Sequence, residues 1–150
     1  MKLVFGVSAA LLLIAGFMLY KNNTPPSQLG VHNGQLAPVP SSPNGVSSQT
    51  AVIDKKVNPL PFRGTLQDSK NKIVKVISGY SGAVILKNES RYIYGIFTTP
   101  TMKFKDDVEF YFDEQEKVIH FRSASRVGYS DMGMNLKRYE EIKNRYEGQE

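Results

Sequence analysis

Residues 107–125, DVEFYFDEQEKVIHFRSAS, decide the fold. In the first half Val108, Phe110 and Phe112 point one way while Asp107, Glu109 and Asp113 point the other, the period-two signature of a β-strand. The short turn EQE then returns the chain into KVIHFRSAS (117–125), a second strand antiparallel to the first. An apolar face opposite a charged one predicts a sheet buried on one side and wet on the other. Two more strand signals lie upstream, GAVIL (82–86) and SRYIYGIFTT (90–99). Before them, Thr65 followed by Asp68 has the form of a capping box, and Leu66, Ile73, Val74 and Ile77 fall at helical spacing up to Gly79. This predicts a helix over 66–78. Downstream, Leu136, Tyr139, Ile142 and Tyr146 mark a second amphipathic helix over about 133–147. The expected domain is therefore α+β. It is a small two-layer unit with a four-stranded antiparallel sheet and two flanking helices, in the order helix-β-β-β-β-helix, with the helices on the apolar face.

The chain of 150 residues has room for one such domain, over 51–150, and two appendages. After Lys2, residues 3–20 (LVFGVSAALLLIAGFMLY) form an uncharged apolar run, about 27 Å long as a helix, which matches the hydrocarbon thickness of a bilayer. The run ends in FMLYKNN without the small residues of a signal-peptidase site, so residues 1–21 are expected to be an uncleaved N-terminal membrane helix rather than a removed signal segment. With no cysteine anywhere, lipoprotein processing, disulfides and thiolate chemistry are excluded. Lys2 and the amino terminus against Lys21 give a slight preference for a single pass with the domain outside the cytoplasm. Residues 22–50 carry five of the eight prolines and read as a tether, of which 36–48 are expected to dock partly on the domain through Leu36, Val39 and Val46. A net charge of +5 can draw nucleic acid, but the basic residues are interleaved with acidic ones, as in KFKDDVE, and nucleic acid is not expected as a partner.

Three stretches, LAPVPSSPNGVSS (36–48), DDVEF (106–110) and RSASRVGYSDMGMNLKR (122–138), make the chain resemble the DUF1499 family of bacterial envelope and plastid proteins. The resemblance covers residues 36 to about 145. It implies a fold and a setting, here the periplasmic or outer face of a bacterial inner membrane, but no reaction. Many members of that family carry a cysteine pair in the first motif, CPxSPNC. Here those positions are Val39 and Gly45, so no redox role is expected.

The signature RSASRVGYSDMGMN allows two readings. Arg122, Arg126 and Arg138 with Ser123, Ser125 and Ser130 have the donors of an anion pocket, and Asp131 and Asn135 can shape the start of the last helix. The ligand would be an anionic small molecule, an envelope glycan, a lipid headgroup or the carboxylates of an envelope protein, and the reading requires that Arg122 and Arg126 are not both buried and paired internally. The same residues also build corners: Gly128 and Gly133 permit a left-handed backbone, and Arg126 with Asp131 is an expected internal ion pair. For hydrolysis, His120 is the one imidazole in the folded part, and a triad with Ser123 or Ser125 and Asp131 can be written without any nucleophile-elbow motif behind it. No catalytic residue is expected from this. Asp106, Asp107 and Glu109 cluster, but they read as a solvated turn and strand face rather than a metal site, and no cofactor is expected. The aromatic strands can line an apolar cavity, though a small domain needs those rings for its core first. A binding or interaction module is thus expected, with a serine hydrolase and a purely structural envelope protein as the other readings.

Overall fold

The computed structural model describes residues 2–148, without the side chains of residues 2–7 and 9. A long helix, α1 (Lys2–Asn23), opens the chain and leads into a small hairpin of β1 (Val31–His32) and β2 (Gln35–Leu36). Then follow β3 (Gly45–Ser47), β4 (Leu60–Pro61), α2 (Leu66–Ser78), β5 (Ala83–Glu89), β6 (Tyr92–Thr98), β7 (Lys105–Asp113), β8 (Val118–Ser125) and α3 (Met134–Glu147). The α+β class stands. So do the expected helices and the four-strand meander β5 to β8, and α2 begins with the predicted capping box, Thr65 and Asp68 bonding each other's backbone N–H.

The sheet has six strands, not four. Its order is β3-β8-β7-β6-β5, with β4 also on β8, and every ladder is antiparallel. β3 and β4 lie end to end along the edge of β8 that the meander leaves free. Val46 sits opposite Ser123 and Leu60 opposite Ile119. This covers an edge that would otherwise expose unpaired N–H and C=O groups. Gly45 is required here: a Cβ on it would stand 2.9 Å from the Cβ of Ala124 and 3.0 Å from the Ser123 carbonyl.

One face of the sheet carries the core. Phe110, Phe112, Ile119 and Phe121 pack under Ile73 and Ile77 of α2 and Tyr139, Ile142 and Tyr146 of α3, and all of these are essentially inaccessible. The opposite face is not wet. The hairpin β1–β2 lies over it, placing Leu29, Val31 and Leu36 against Tyr92, Tyr94, Ile96 and Tyr111. Residues 22–50 are accordingly an ordered strap on the domain, where a tether was expected. Asp107 and Glu109, expected to face solvent, are 1% and 0% exposed.

The expected membrane helix, residues 3–20, falls within α1, where the side chains of residues 3–7 and 9 are not described. Among the described residues no helix is long and apolar enough to cross a membrane. Leu11, Leu12, Leu13, Ile14, Phe17 and Leu19 are each more than half exposed, so among the described residues this stretch of α1 stands clear of the domain. Its end does pack: Asn22 is buried.

Candidate functional site

The run KDDVE at the start of β7 places acidic groups on both faces of the sheet, because successive side chains alternate. Each of three meets an arginine of the signature. On the helix face, Arg138 Nη2 donates to Asp106 Oδ2 at 2.6 Å. On the strap face, Arg122 Nη1 donates to Glu109 Oε2 at 3.0 Å, and Arg126 grips Asp107 through Nε at 3.0 Å and Nη2 at 2.7 Å. All six groups are at most 5% exposed. A buried charge is tolerable only when paired, and removing one partner of such a pair costs about 3–5 kcal/mol.

The strap-face pairs extend into neighbouring segments. Tyr92 and Tyr94 of β6 donate their hydroxyls to Glu109 (2.7 Å) and Asp107 (2.6 Å). Burial first, then those carboxylates, raise both phenols well above their ordinary value, so they remain donors. The Gly30 N–H reaches Glu109 Oε1 at 2.8 Å, fixing the hairpin to the sheet. Arg122 also donates to the Pro38 carbonyl, from Nε and Nη2 at 3.3 Å each. Burial is the largest single influence on Arg126 and disfavours its charge, but the hydrogen bonds and charge of Asp107 together with Tyr94 outweigh it and hold the guanidinium above its ordinary value. Its remaining donors go to the Tyr94 hydroxyl at 3.0 Å and, through Nη1, to the Asn22 carbonyl at 3.1 Å. Asn22 closes the last turn of α1. Its side chain donates to the Lys103 carbonyl and accepts from the Lys105 N–H, both at 2.9 Å.

On the helix face Asn135, 0% exposed, is the hub. Its Oδ1 accepts from Ser123 Oγ and from Arg138 Nη1, and its Nδ2 donates to the Asn44 carbonyl, Ser125 Oγ and Asp131 Oδ2. Asn44 Nδ2 in turn bonds the Gly128 carbonyl at 2.7 Å, and the Ser125 N–H bonds the Asn44 carbonyl. The segment SPNG (42–45) and the signature, far apart in sequence, are thus stitched into one corner. Arg138 Nε is the one buried side-chain polar atom among the described residues without a hydrogen bond. The guanidinium lies over the Phe97 ring, 5.0 Å from its centroid, which supplies part of what the missing bond does not.

These positions correct several expectations. Arg126 pairs with Asp107, not Asp131. Asp131 instead accepts from the N–H groups of Gly133, the N-cap residue, and Asn135, so part of the helix N-terminus offered to an anion is already occupied. Ser130 is exposed and its hydroxyl accepts only the Met132 N–H two residues on. Gly128 (φ 93°) and Gly133 (φ 79°) do hold left-handed backbone. Asp106, Asp107 and Glu109 are ion-pair partners and not a solvated face. Both Arg122 and Arg126 are buried and paired internally, the condition under which the anion-pocket reading does not hold.

His120 lies on the strap face, stacked on Tyr111. Its Nδ1 is 3.2 Å from the hydroxyl of Ser48, a residue that motif reasoning missed, while Ser123 and Asp131 belong to the helix-face network. Burial lowers the imidazole pKa, opposed by Asp113 and Glu116. Ser48 Oγ also accepts the Phe121 N–H at 2.9 Å and is 8% exposed, so it fastens the turn after β3 to β8. The strap and β8 enclose a cleft of about 330 Å³ between Lys21, Pro38, Ser42, Asn44 and Ser125, with Arg122 and Arg126 in its floor.

A family model described as a protein of unknown function, DUF1499, matches residues 35–145. No curated protein matches the chain.

Proposed function

The chain belongs to the DUF1499 family, and from that membership and the geometry above we propose that it is a membrane-anchored, extracytoplasmic interaction module whose signature segment is an internal lock. The observation that carries the reading is the seat of Asn22: a helix whose described apolar side chains, Leu11 to Tyr20, stand exposed ends in a buried residue bonded to Arg126, Lys103 and Lys105. A cleaved leader would take its last turn out of the domain, so this joint supports an anchor that is retained. The lock holds domain and anchor in one orientation at the surface of a bacterial inner membrane. Any anionic ligand is recruited by exposed lysines near the Asn22 joint, such as Lys21 and Lys103, since the arginines are engaged.

The test is fractionation of the full chain expressed in bacteria. The protein is expected in the membrane pellet after alkaline carbonate extraction, with the domain digestible from the outer side of intact spheroplasts. Release by carbonate, or protection of the domain from external protease, refutes the reading. Deleting residues 2–20 is expected to free it.

One observation favours a hydrolase, the contact of His120 with Ser48. Ester turnover that is lost in Ser48→Ala and His120→Ala would establish it. A purely structural envelope protein has the same lock without a partner, and the rim described next distinguishes it.

A further inference from the structure

Three chain segments meet where α1 joins the domain. The β6–β7 loop (99–104) is tied to Asn22 through Lys103 and Lys105. The signature loop (127–133) follows Arg126, whose N–H bonds the Lys105 carbonyl, and Gly128 lines the same cleft as Lys21. The start of α3 shares a surface hollow with the β6–β7 loop, Met134 and Lys137 facing Pro100 and Lys103. This end of the molecule carries large apolar side chains that stand mostly in solvent. Met132 is 95% exposed, Tyr129 79% and Met102 65%. Lysines stand among them: Lys21 at the end of α1, Lys103 in the loop and Lys137, whose side chain is 71% exposed. The acidic groups nearby are occupied, Asp131 by the α3 backbone and Glu141 by Tyr80 and, at 4.0 Å, Lys137.

We infer that this rim is a lipid-contacting surface: Tyr129, Met132 and Met102 sit in the interfacial layer of the bilayer that α1 enters, and Lys21, Lys103 and Lys137 bind the phosphates of anionic headgroups. The inference rests on the anchored reading above and says which face of the domain the anchor presents. The occupant is a bilayer and not a second protein because of continuity. The apolar surface of α1 is exposed from Leu11 down to Tyr20, itself 67% exposed, and the rim begins at the next residues, fixed to it by the Asn22 bonds. Tyrosine and a long cationic chain beside an apolar tip is the composition that favours the headgroup layer. Lysines at such a surface each strengthen attachment to anionic lipid about fivefold.

The chain has no tryptophan, so one introduced residue reports alone. The full chain is reconstituted in phosphatidylcholine vesicles with or without phosphatidylglycerol, as Tyr129→Trp, Met132→Trp and, as control, Gln115→Trp in the β7–β8 turn, about 30 Å away along β7. Quenching by lipids brominated in the acyl chains is expected at positions 129 and 132 and not at 115. It should rise with phosphatidylglycerol, and Lys103→Glu with Lys137→Glu should remove that rise. If the protein floats with the vesicles but tryptophans at 129 and 132 respond only to aqueous acrylamide, the rim inference is overturned and the anchor stands. If the protein does not float, the anchored reading fails as well. Two other outcomes also overturn the inference. Shielding that depends on protein density and not on lipid assigns the rim to a second copy, and relief of quenching by free glycerol phosphate at matched ionic strength assigns it to a free phosphate ligand.

Discussion

Replacing Arg126 with alanine should unfold this protein at a much lower temperature. The guanidinium makes its closest contact at 2.7 Å to Asp107, and further bonds to Tyr94 and to the last turn of α1. Without it the Asp107 carboxylate, 1% exposed, keeps only the Tyr94 hydroxyl on that side. Breaking a buried pair in this way costs about 3–5 kcal/mol. At roughly 4 °C per kcal/mol for a chain of this size, the expected loss in Tm is about 12–20 °C. Asp131→Ala removes the acceptor of two N–H groups at the start of α3 and should cost about 0.5–2 kcal/mol, and since it shares no bond with Arg126 the two losses should add. Asp107→Ala combined with Arg126→Ala should cost clearly less than the sum of the single changes. An apolar pair, Asp107→Leu with Arg126→Met, should recover much of the loss while freeing α1, seen as faster amide exchange at residues 19–23. Thermal melts of the full chain in detergent, followed by circular dichroism, decide it. An Arg126→Ala melt within about 4 °C of the parent, a shift of about 1 kcal/mol, refutes the lock.

Gly45→Ala should cost about 1–3 kcal/mol in the same melts, because its Cβ would overlap Ala124 and the Ser123 carbonyl across β3 and β8. Asn135→Ala takes one hydrogen-bond partner each from Ser123, Arg138 and the Asn44 carbonyl, which keep Arg138, Asp106 and the Ser125 N–H respectively, and should cost about 1–3 kcal/mol. His120 has a folded-state pKa below its unfolded value of about 6.5, so the unfolded chain binds more protons. The associated stability is therefore complete above that pH and is lost as pH falls through the folded-state pKa. His120→Gln should flatten this part of the Tm profile, and an NMR titration of the imidazole should show the lowered midpoint.

The helices and the four long strands were legible because their causes are local: a capping box, a helical stripe, an alternation of Phe and Val with charge. β3 and β4 have two or three residues each and include Gly45 and Pro61, so nothing in them announces a strand. They pair because β8 has a free edge, which is a property of the assembled sheet. The strap face was misread for a different reason. Alternation reports polarity, not solvent, and Asp107 and Glu109 alternate in the same way whether water or arginine covers them. The signal that separates the two cases was present in the hairpin. Once its turn sets Asp113 opposite Val118, the ladder puts Glu109 directly across from Arg122, and Asp107 pairs with Ala124, one diagonal step from Arg126. Opposite charges in those cross-strand positions, with Tyr92 and Tyr94 arriving from the other side, describe a network that can be buried and still satisfied. A buried ion pair of this kind adds no more stability than apolar residues of equal volume, but it accepts one geometry only. That is a reason for charge where α1, the strap and the sheet must meet in a single arrangement, and it separates the corner, buried and fixed internally, from the exposed lysine and methionine rim beside it.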